Sequence, residues 1–423
     1  MARREAPAAG PGSRALVVDV IRSSVAVSRV ELAELTGLTQ PSISNIVRDL
    51  IADGIIHEVG SIDSVLGRRR KLIAISAASR FGVGFHLGPE TLTCLAIDLT
   101  GGVVGREAVP RRPDEDLGER FEHFTRGLDL PRDRIEGLAI VSPGADLAPA
   151  DAGPSPAKAG RSPASAGRSP ASAGRSPAGA EPSPAGSDLG QVRAQLEARL
   201  GVPVLVENDS AAAALGEFWS RRVSREQAFG CIYLSTGIGA GFVFGGALFR
   251  GASFGAGGLG HVSIDHDGLP CPCGNRGCVQ QYASMRAVVA AGRADPALAA
   301  RLPLDGSESS AYDAIARAAV NGDADAYQVL DRAAVRLSTA VTSMVNLLDL
   351  GRLVLTGPGV ARAGSIFARR LRAHLGRAAH SRRRHSVAVE ISAQPGDAAG
   401  IGAAALVVQA SVAPGHTREF LNY

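Results

Sequence analysis

Between residues 14 and 54 apolar positions recur every three to four residues in three short runs, a period that predicts three helices. Leu16, Val17, Val20 and Ile21 make one face of the first. The second opens on Ser28-Arg29-Val30-Glu31, a capping box in which serine and glutamate satisfy each other's free amides, and runs through Leu32 and Leu35 to Gly37. The third carries Pro41 in its first turn, sets Ile43, Ile46, Val47, Leu50 and Ile51 on one side, and stops at Gly54. Residues 1–13 show no period and are expected to form a mobile arm.

After the third helix the pattern shortens to strands at Ile55–Val59 and Leu72–Ile75, then Phe81–Leu87 and Thr91–Leu99. A helix near Asp116–Arg126 and a strand at Gly137–Val141 follow. Residues 145–187 lose all periodicity and contain AGRSPAS, AGRSPAS and AGRSPAG in tandem; a stretch with so few apolar groups is expected to be a disordered insertion. Order returns with helix Leu189–Leu200, strand Val202–Val206, helix Ser210–Trp219 and the apolar runs Gly230–Leu234 and Phe242–Phe244. The chain is then mostly helical from Met285 to Leu348, with strand Arg352–Thr356, helix Gly364–Leu375, strand Val387–Ile391 and a last helix from about Gly400. This order predicts an α/β protein. An amino-terminal unit spans 14–77, a first lobe 81–205 and a second lobe 206–395; the segment 396–423 is free to pack back on the first lobe.

Composition changes this picture little. A formal net charge of +4 demands no particular partner, but the cations are unevenly placed. On the third helix Gln40, Ser42, Ser44, Asn45 and Arg48 lie off the apolar side, a set of short polar groups with one arginine suited to base edges in a major groove. Gly67-Arg68-Arg69-Arg70-Lys71 joins the next two strands. Together they predict a winged helix-turn-helix that binds double-stranded DNA, with Arg68, Arg69 and Arg70 on the phosphate backbone or in the minor groove.

The densest chemistry lies between Leu234 and Tyr282. Gly237-Ile238-Gly239-Ala240-Gly241 reads as a hairpin turn whose bare backbone can approach a phosphate or sugar. Ten residues after His261, Cys271, Cys273 and Cys278 place three of the chain's five cysteines within eight positions, separated by turn-forming Gly274 and Gly277. Three thiolates and an imidazole make a closed tetrahedral zinc site. Cys94 and Cys231 sit in apolar runs and are expected in the core. With no secretory signal and no long apolar span, the expected location is the cytoplasm, without membrane contact.

These residues resemble the ROK family of bacterial sugar kinases and sugar-responsive repressors, over nearly the whole chain. The likeness is most specific from Leu234 to His261, ending Gly257-Gly258-Leu259-Gly260-His261, and in the cysteines that follow. It implies an actin-like, ribonuclease-H-like fold, structural zinc on His261, Cys271, Cys273 and Cys278, and a sugar site including Asn208, Asp209, His261 and Gln280. Asp209 stands where family kinases carry their catalytic base. Other positions depart from the kinases. His86 replaces an acidic residue of the phosphate hairpin, and Pro89 and Glu90 remove a donor and add a negative charge in the next turn. Thr356-Gly357-Pro358-Gly359, at the adenosine-side turn, carries an extra proline, while Gly258 and Gln280 stand where family members have sugar-binding glutamates.

The expectation is a transcriptional regulator, a repressor of carbohydrate-related genes, whose kinase-like part senses a sugar or sugar phosphate without turning it over. A homodimer or homotetramer would match a palindromic operator. Two alternatives stay open: an ATP-dependent sugar kinase with an added DNA-binding domain, and a DNA-binding protein whose sugar site has decayed.

Overall fold

The computed structural model describes residues 11–62, 69–143, 185–221, 228–252 and 254–412. Most of the expected arm, Arg68, most of the 145–187 repeat and the end of the tail lie outside these residues.

The amino-terminal unit comprises α1 (Pro11–Ser23), β1 (Val27–Ser28), α2 (Arg29–Thr36), α3 (Gln40–Ala52), β2 (Ile56–Ile62) and β3 (Arg70–Ile75). Helix α1 thus starts at Pro11, inside the segment expected to be an arm, because proline is well tolerated in a first turn. The Ser28–Glu31 capping box is present and Gly37 closes α2 in the left-handed conformation, as the sequence predicts. The three strands form an antiparallel sheet in the order β1-β3-β2. Ile43, Val47 and Leu50 of α3 meet Val17, Ile21, Leu32 and Ile73 in one core. Leu35 and Ile51, assigned by period to that core, are exposed; both stand in the last turn of their helices.

The first lobe comprises β4 (Phe81–Leu87), β5 (Thr91–Asp98), β6 (Val103–Pro110), α4 (Leu117–Gly127), β7 (Ile135–Ser142), α5 (Ala185–Leu200) and β8 (Val204–Asn208). Its sheet runs β6-β5-β4-β7-β8, antiparallel through β4 and parallel beyond it. Helix α5 begins at Ala185, within the stretch expected to be disordered. The second lobe opens with α6 (Asp209–Ser220) and continues with β9 (Phe229–Leu234), β10 (Ile238–Phe244), β11 (Ala247–Leu248), α7 (Gln280–Ala283), α8 (Met285–Ala294), α9 (Pro296–Arg301), α10 (Glu308–Val320), α11 (Ala324–Leu348), β12 (Arg352–Thr356), α12 (Val360–Ala378) and β13 (Ala388–Ile391). Its sheet order is β11-β10-β9-β12-β13.

The last helix, α13 (Ala398–Val412), returns to the first lobe and packs on β4 and β7, while α6 packs on β9 and β10. These two helices lie against each other between the sheets. Every residue of α6 from Asp209 to Trp219 is buried, which explains its run of alanines: two helices enclosed on all sides can approach only through small side chains. A methyl group added at Gly402 would stand 1.7 Å from the Ala212 carbonyl oxygen, so the two backbones are in contact there.

Helix α1 is seated on the far end of α6. Arg22 is buried, its guanidinium lies 4.6 Å from the centre of the Trp219 ring and 5.4 Å from that of Phe218, and it donates to the Trp219 carbonyl at 3.1 Å. Asp19 accompanies it, 3.9 Å from the guanidinium. No helix among the described residues is long and apolar enough to cross a membrane.

Candidate functional site

Helix α3 is held at its start by Thr39, whose hydroxyl accepts from the Ser42 amide and bonds the Ser42 hydroxyl at 2.9 Å. Ser42 is therefore half-buried and occupied by the cap. Gln40, Ser44, Asn45 and Arg48 are exposed, opposite the buried Ile43, Val47 and Leu50. Arg48 donates to the Asn45 side-chain oxygen. Arg69 and Arg70 are exposed at the start of β3, whereas the neighbouring Lys71 bonds Glu58 across the hairpin. Arg70 also acts on Glu31, whose carboxyl the Ser28 backbone amide and hydroxyl already hold below its ordinary range.

The four zinc-ligand candidates converge. One nitrogen or sulfur from each of His261, Cys271, Cys273 and Cys278 lies within 4.8 Å of every other. Cys271 Sγ is 3.7 Å from His261 Nδ1, and the Cys273 and Cys278 sulfurs are 3.7 Å apart. A zinc–sulfur bond of about 2.3 Å implies tetrahedral edges of about 3.8 Å, so the set fits that ion. Turns bring it together: Cys271 donates its amide to Asn275, Gly274 to Cys271, and the bridges Ser263–Cys278 and Pro270–Arg276 tie the loop at its base. Burial raises the Cys271 thiol, but the Cys273 amide and the Gln281 side chain outweigh it and draw the thiol down to about 6. Cys278 is pushed up to about 12 by burial and its sulfur neighbours. A cation at the centre would bring all three to thiolates.

The residues assigned to a sugar flank the start of β10. Asn208 caps α6, its side-chain oxygen accepting from the Ser210 and Ala211 amides, which leaves its amide group without a partner among the described residues. Asp209 follows, buried. On the other side, Gln280 lies against Gly260 and donates to the Cys271 sulfur at 3.6 Å, as Gln281 does at 3.4 Å. The place of the absent glutamate at Gly258 is open space.

Sequence reasoning misplaced the glycine-rich turn. Ser235–Gly237 make the turn, while Gly239 and Gly241 lie inside β10. Methyl groups there would collide with the Ser210 hydroxyl and the Ala214 methyl, so these glycines are needed for the approach of α6. Sequence reasoning also missed Arg250, which donates to buried Glu207 at 2.7 Å while Glu207 accepts from the Asn208 amide. Burial holds the Glu207 carboxyl above its ordinary range, with Arg250 opposing.

The β4–β5 hairpin, expected at the phosphate site, carries His86 and Glu90. His86 is buried on β4 with Nε2 3.9 Å from the Asp209 carboxylate and no hydrogen-bond partner for it among the described residues. Glu90, in the following turn, crosses to the second lobe. It accepts from the Ser307 hydroxyl at 3.0 Å and the Ser309 amide at 3.4 Å, at the positive end of α10.

A family model described as "ROK family" matches residues 83–410. A putative xylose repressor of Caldicellulosiruptor sp. is 25% identical over 403 residues, 94% of this chain and 95% of that one. The xylose repressor of Bacillus subtilis is 26% identical over 280 residues, covering 65% of this chain and 66% of its own length. A glucokinase of Halalkalibacterium halodurans is 31% identical over 223 residues, 52% of this chain and 67% of that one. Among solved structures, a ROK family transcriptional regulator described as a homologue of E. coli MLC shares the fold, with a TM-score of 0.68 at 23% identity over 96% of this chain and 97% of that one. The matched span takes in both sheets, the cysteine loop and the central helix pair, and on it the chain belongs to the ROK family.

Proposed function

We propose that the chain is a sugar-responsive, DNA-binding transcriptional repressor in which α2, α3 and the β2–β3 hairpin act as a winged helix-turn-helix. The observation that carries this is the exposed face of α3, which the fold leaves open while its other face builds the core. Repressor relatives that match over both this unit and the lobes support it. Gln40, Ser44, Asn45 and Arg48 read bases, Arg69 and Arg70 hold phosphates, and Ser42 positions the helix. Asn208, Asp209, His261 and Gln280 receive the sugar. His261, Cys271, Cys273 and Cys278 hold a structural zinc that fixes the loop and the His261 ring. Two-fold assembly on a palindrome is part of the reading.

A kinase is the second reading, favoured by Asp209 beside the cleft. Against it stand His86, which offers no carboxylate to a metal-bound triphosphate, and Glu90, which spends its charge on a strut between the lobes. The test is selection of duplexes from a random-sequence library, followed by titration with xylose, glucose and N-acetylglucosamine. Enrichment of a palindrome and its release by one sugar are expected. No enriched sequence, or sugar-dependent ATP turnover abolished by Asp209→Asn, would replace this reading.

A further inference from the structure

Outside these sites a concentration of cations lies on the second lobe. Residues 351–389 contain nine arginines and no acidic residue. Three are neutralised from elsewhere: Arg352 by Glu390, Arg362 by Asp313 and Arg370 by Asp331. The other six, Arg369, Arg372, Arg377, Arg382, Arg383 and Arg384, are exposed and have no carboxylate partner among the described residues. Arg369 lies over the Tyr327 ring, Arg372 and Arg382 donate to the Val389 and Ala379 carbonyls, and Arg384 reaches His380. Among the described residues Asp349 answers only His385, at 3.2 Å. Such a group of uncompensated cations repels itself, and a polyanion relieves the repulsion.

Its place in the fold says which polyanion. The amino-terminal unit sits on the end of α6, where Arg22 meets Trp219. Two residues further, Arg221 reaches β13, bonding Glu390 and donating to the Ile391 carbonyl at 2.7 Å. The segment carrying Arg382, Arg383 and Arg384 leads directly into β13. Through Arg221 and β13 the basic surface is thus linked to the end of α6 on which the DNA-reading unit sits.

We propose that this surface, α12 and the turn after it, is a second DNA contact that holds the phosphate backbone of duplex flanking the operator. It rests on the DNA-binding reading above. Exposed guanidinium forks with no enclosed pocket suit phosphate oxygens and carry no base sequence. The contact is thus independent of flank sequence and sensitive to salt.

The experiment uses the full chain and the duplex it selects, as the protected core and with about 20 bp added on each side. Binding is measured over a salt series for the wild type, for Arg382→Ala/Arg383→Ala/Arg384→Ala, for the same three changed to Lys, and for Arg377→Glu/Arg383→Glu. On the long duplex the alanine variant is expected to lose about 2 to 3 from the salt slope, near 0.9 per phosphate contact, with affinity falling alongside. On the core it should match the wild type, and the lysine variant should keep most of the slope. Arg377→Glu/Arg383→Glu, at side chains with no hydrogen-bond or charge partner among the described residues, should weaken long-duplex binding further. Wild-type slopes in both the alanine and glutamate variants would overturn the proposal and assign the arginines to an acidic protein. An equal loss on core and long duplex would overturn it in favour of general steering. Failure of the wild type to select any duplex would remove the DNA-binding reading itself, a distinct result.

Discussion

At the scale of single residues, the zinc candidates were legible because their spacing is local: three cysteines and their turn glycines lie within a few positions of one another, with His261 ten before. Arg250 and Arg22 were not legible. Their partners Glu207 and Trp219 lie 43 and 197 positions away, and an arginine in a loop or on a helix face carries no mark of the carboxylate or ring it will meet. The ligand set predicts that Cys273→Ser releases metal and loosens the loop. Apparent stability of the lobes should fall by about 3 kcal/mol, or about 10 °C in Tm for domains of this size. Metal analysis and calorimetry on both proteins check this. Less than one zinc per wild-type chain, or an unchanged melt in a metal-free variant, would refute it.

Among the elements, helices with a cap and a clear period were read well. Ser28, Glu31 and Gly37 stand where the capping box and left-handed closure put them, and Asp116 caps α4. Strand β6 escaped notice because it alternates exposed with half-buried positions and carries charges. The glycines of β10 read as a turn in the sequence because the reason for them, the backbone of α6, belongs to a separate element. Two predictions belong here. Ser28→Ala should cost about 1 kcal/mol of the amino-terminal unit's stability by freeing the Glu31 amide. The carboxyl of Glu31 is depressed in the fold, so its share of the box is present at neutral pH and fades as pH falls through that lowered value. Denaturation of the wild type and Glu31→Ala at pH 7 and in acid should show the difference shrinking; a constant difference would mean that the Glu31 carboxylate contributes nothing. Gly402→Ala forces a methyl onto the Ala212 carbonyl and should cost about 3 kcal/mol, whereas Gly376→Ala, in open space on α12, should be neutral or stabilising.

For the molecule as a whole, the two-lobed α/β plan could be read from element order, but the path between the proposed sugar residues and the proposed DNA reader could not, since it is made by the packing of distant segments. Helix α6 spans it. Asn208 and Asp209 stand at its first turn, and Phe218, Trp219 and the Trp219 carbonyl at its last, under Arg22 of α1. Because α6 is enclosed along its length by β10 on one side and α13 on the other, it can respond to a sugar at its first turn by a small rigid shift more readily than by bending. Such a shift is felt by the Arg22–Trp219 contact. Replacing the buried pair by Asp19→Asn/Arg22→Met keeps the volume and the apolar stem over Trp219 without stranding a charge. The expected result is unchanged sugar affinity and unchanged operator affinity without sugar, but a sugar effect on operator binding reduced from a coupling of about 1 to 3 kcal/mol to within about twofold. Operator DNA should likewise lower sugar affinity in the wild type and not in the variant, because coupling between two ligands is reciprocal. Calorimetric sugar titrations with and without the selected duplex measure both directions. A full sugar response in the double variant would mean that the lobes signal through the linker at Arg80 instead, which pairs with Glu136 at 2.7 Å and donates to the Asp53 carbonyl at 3.3 Å.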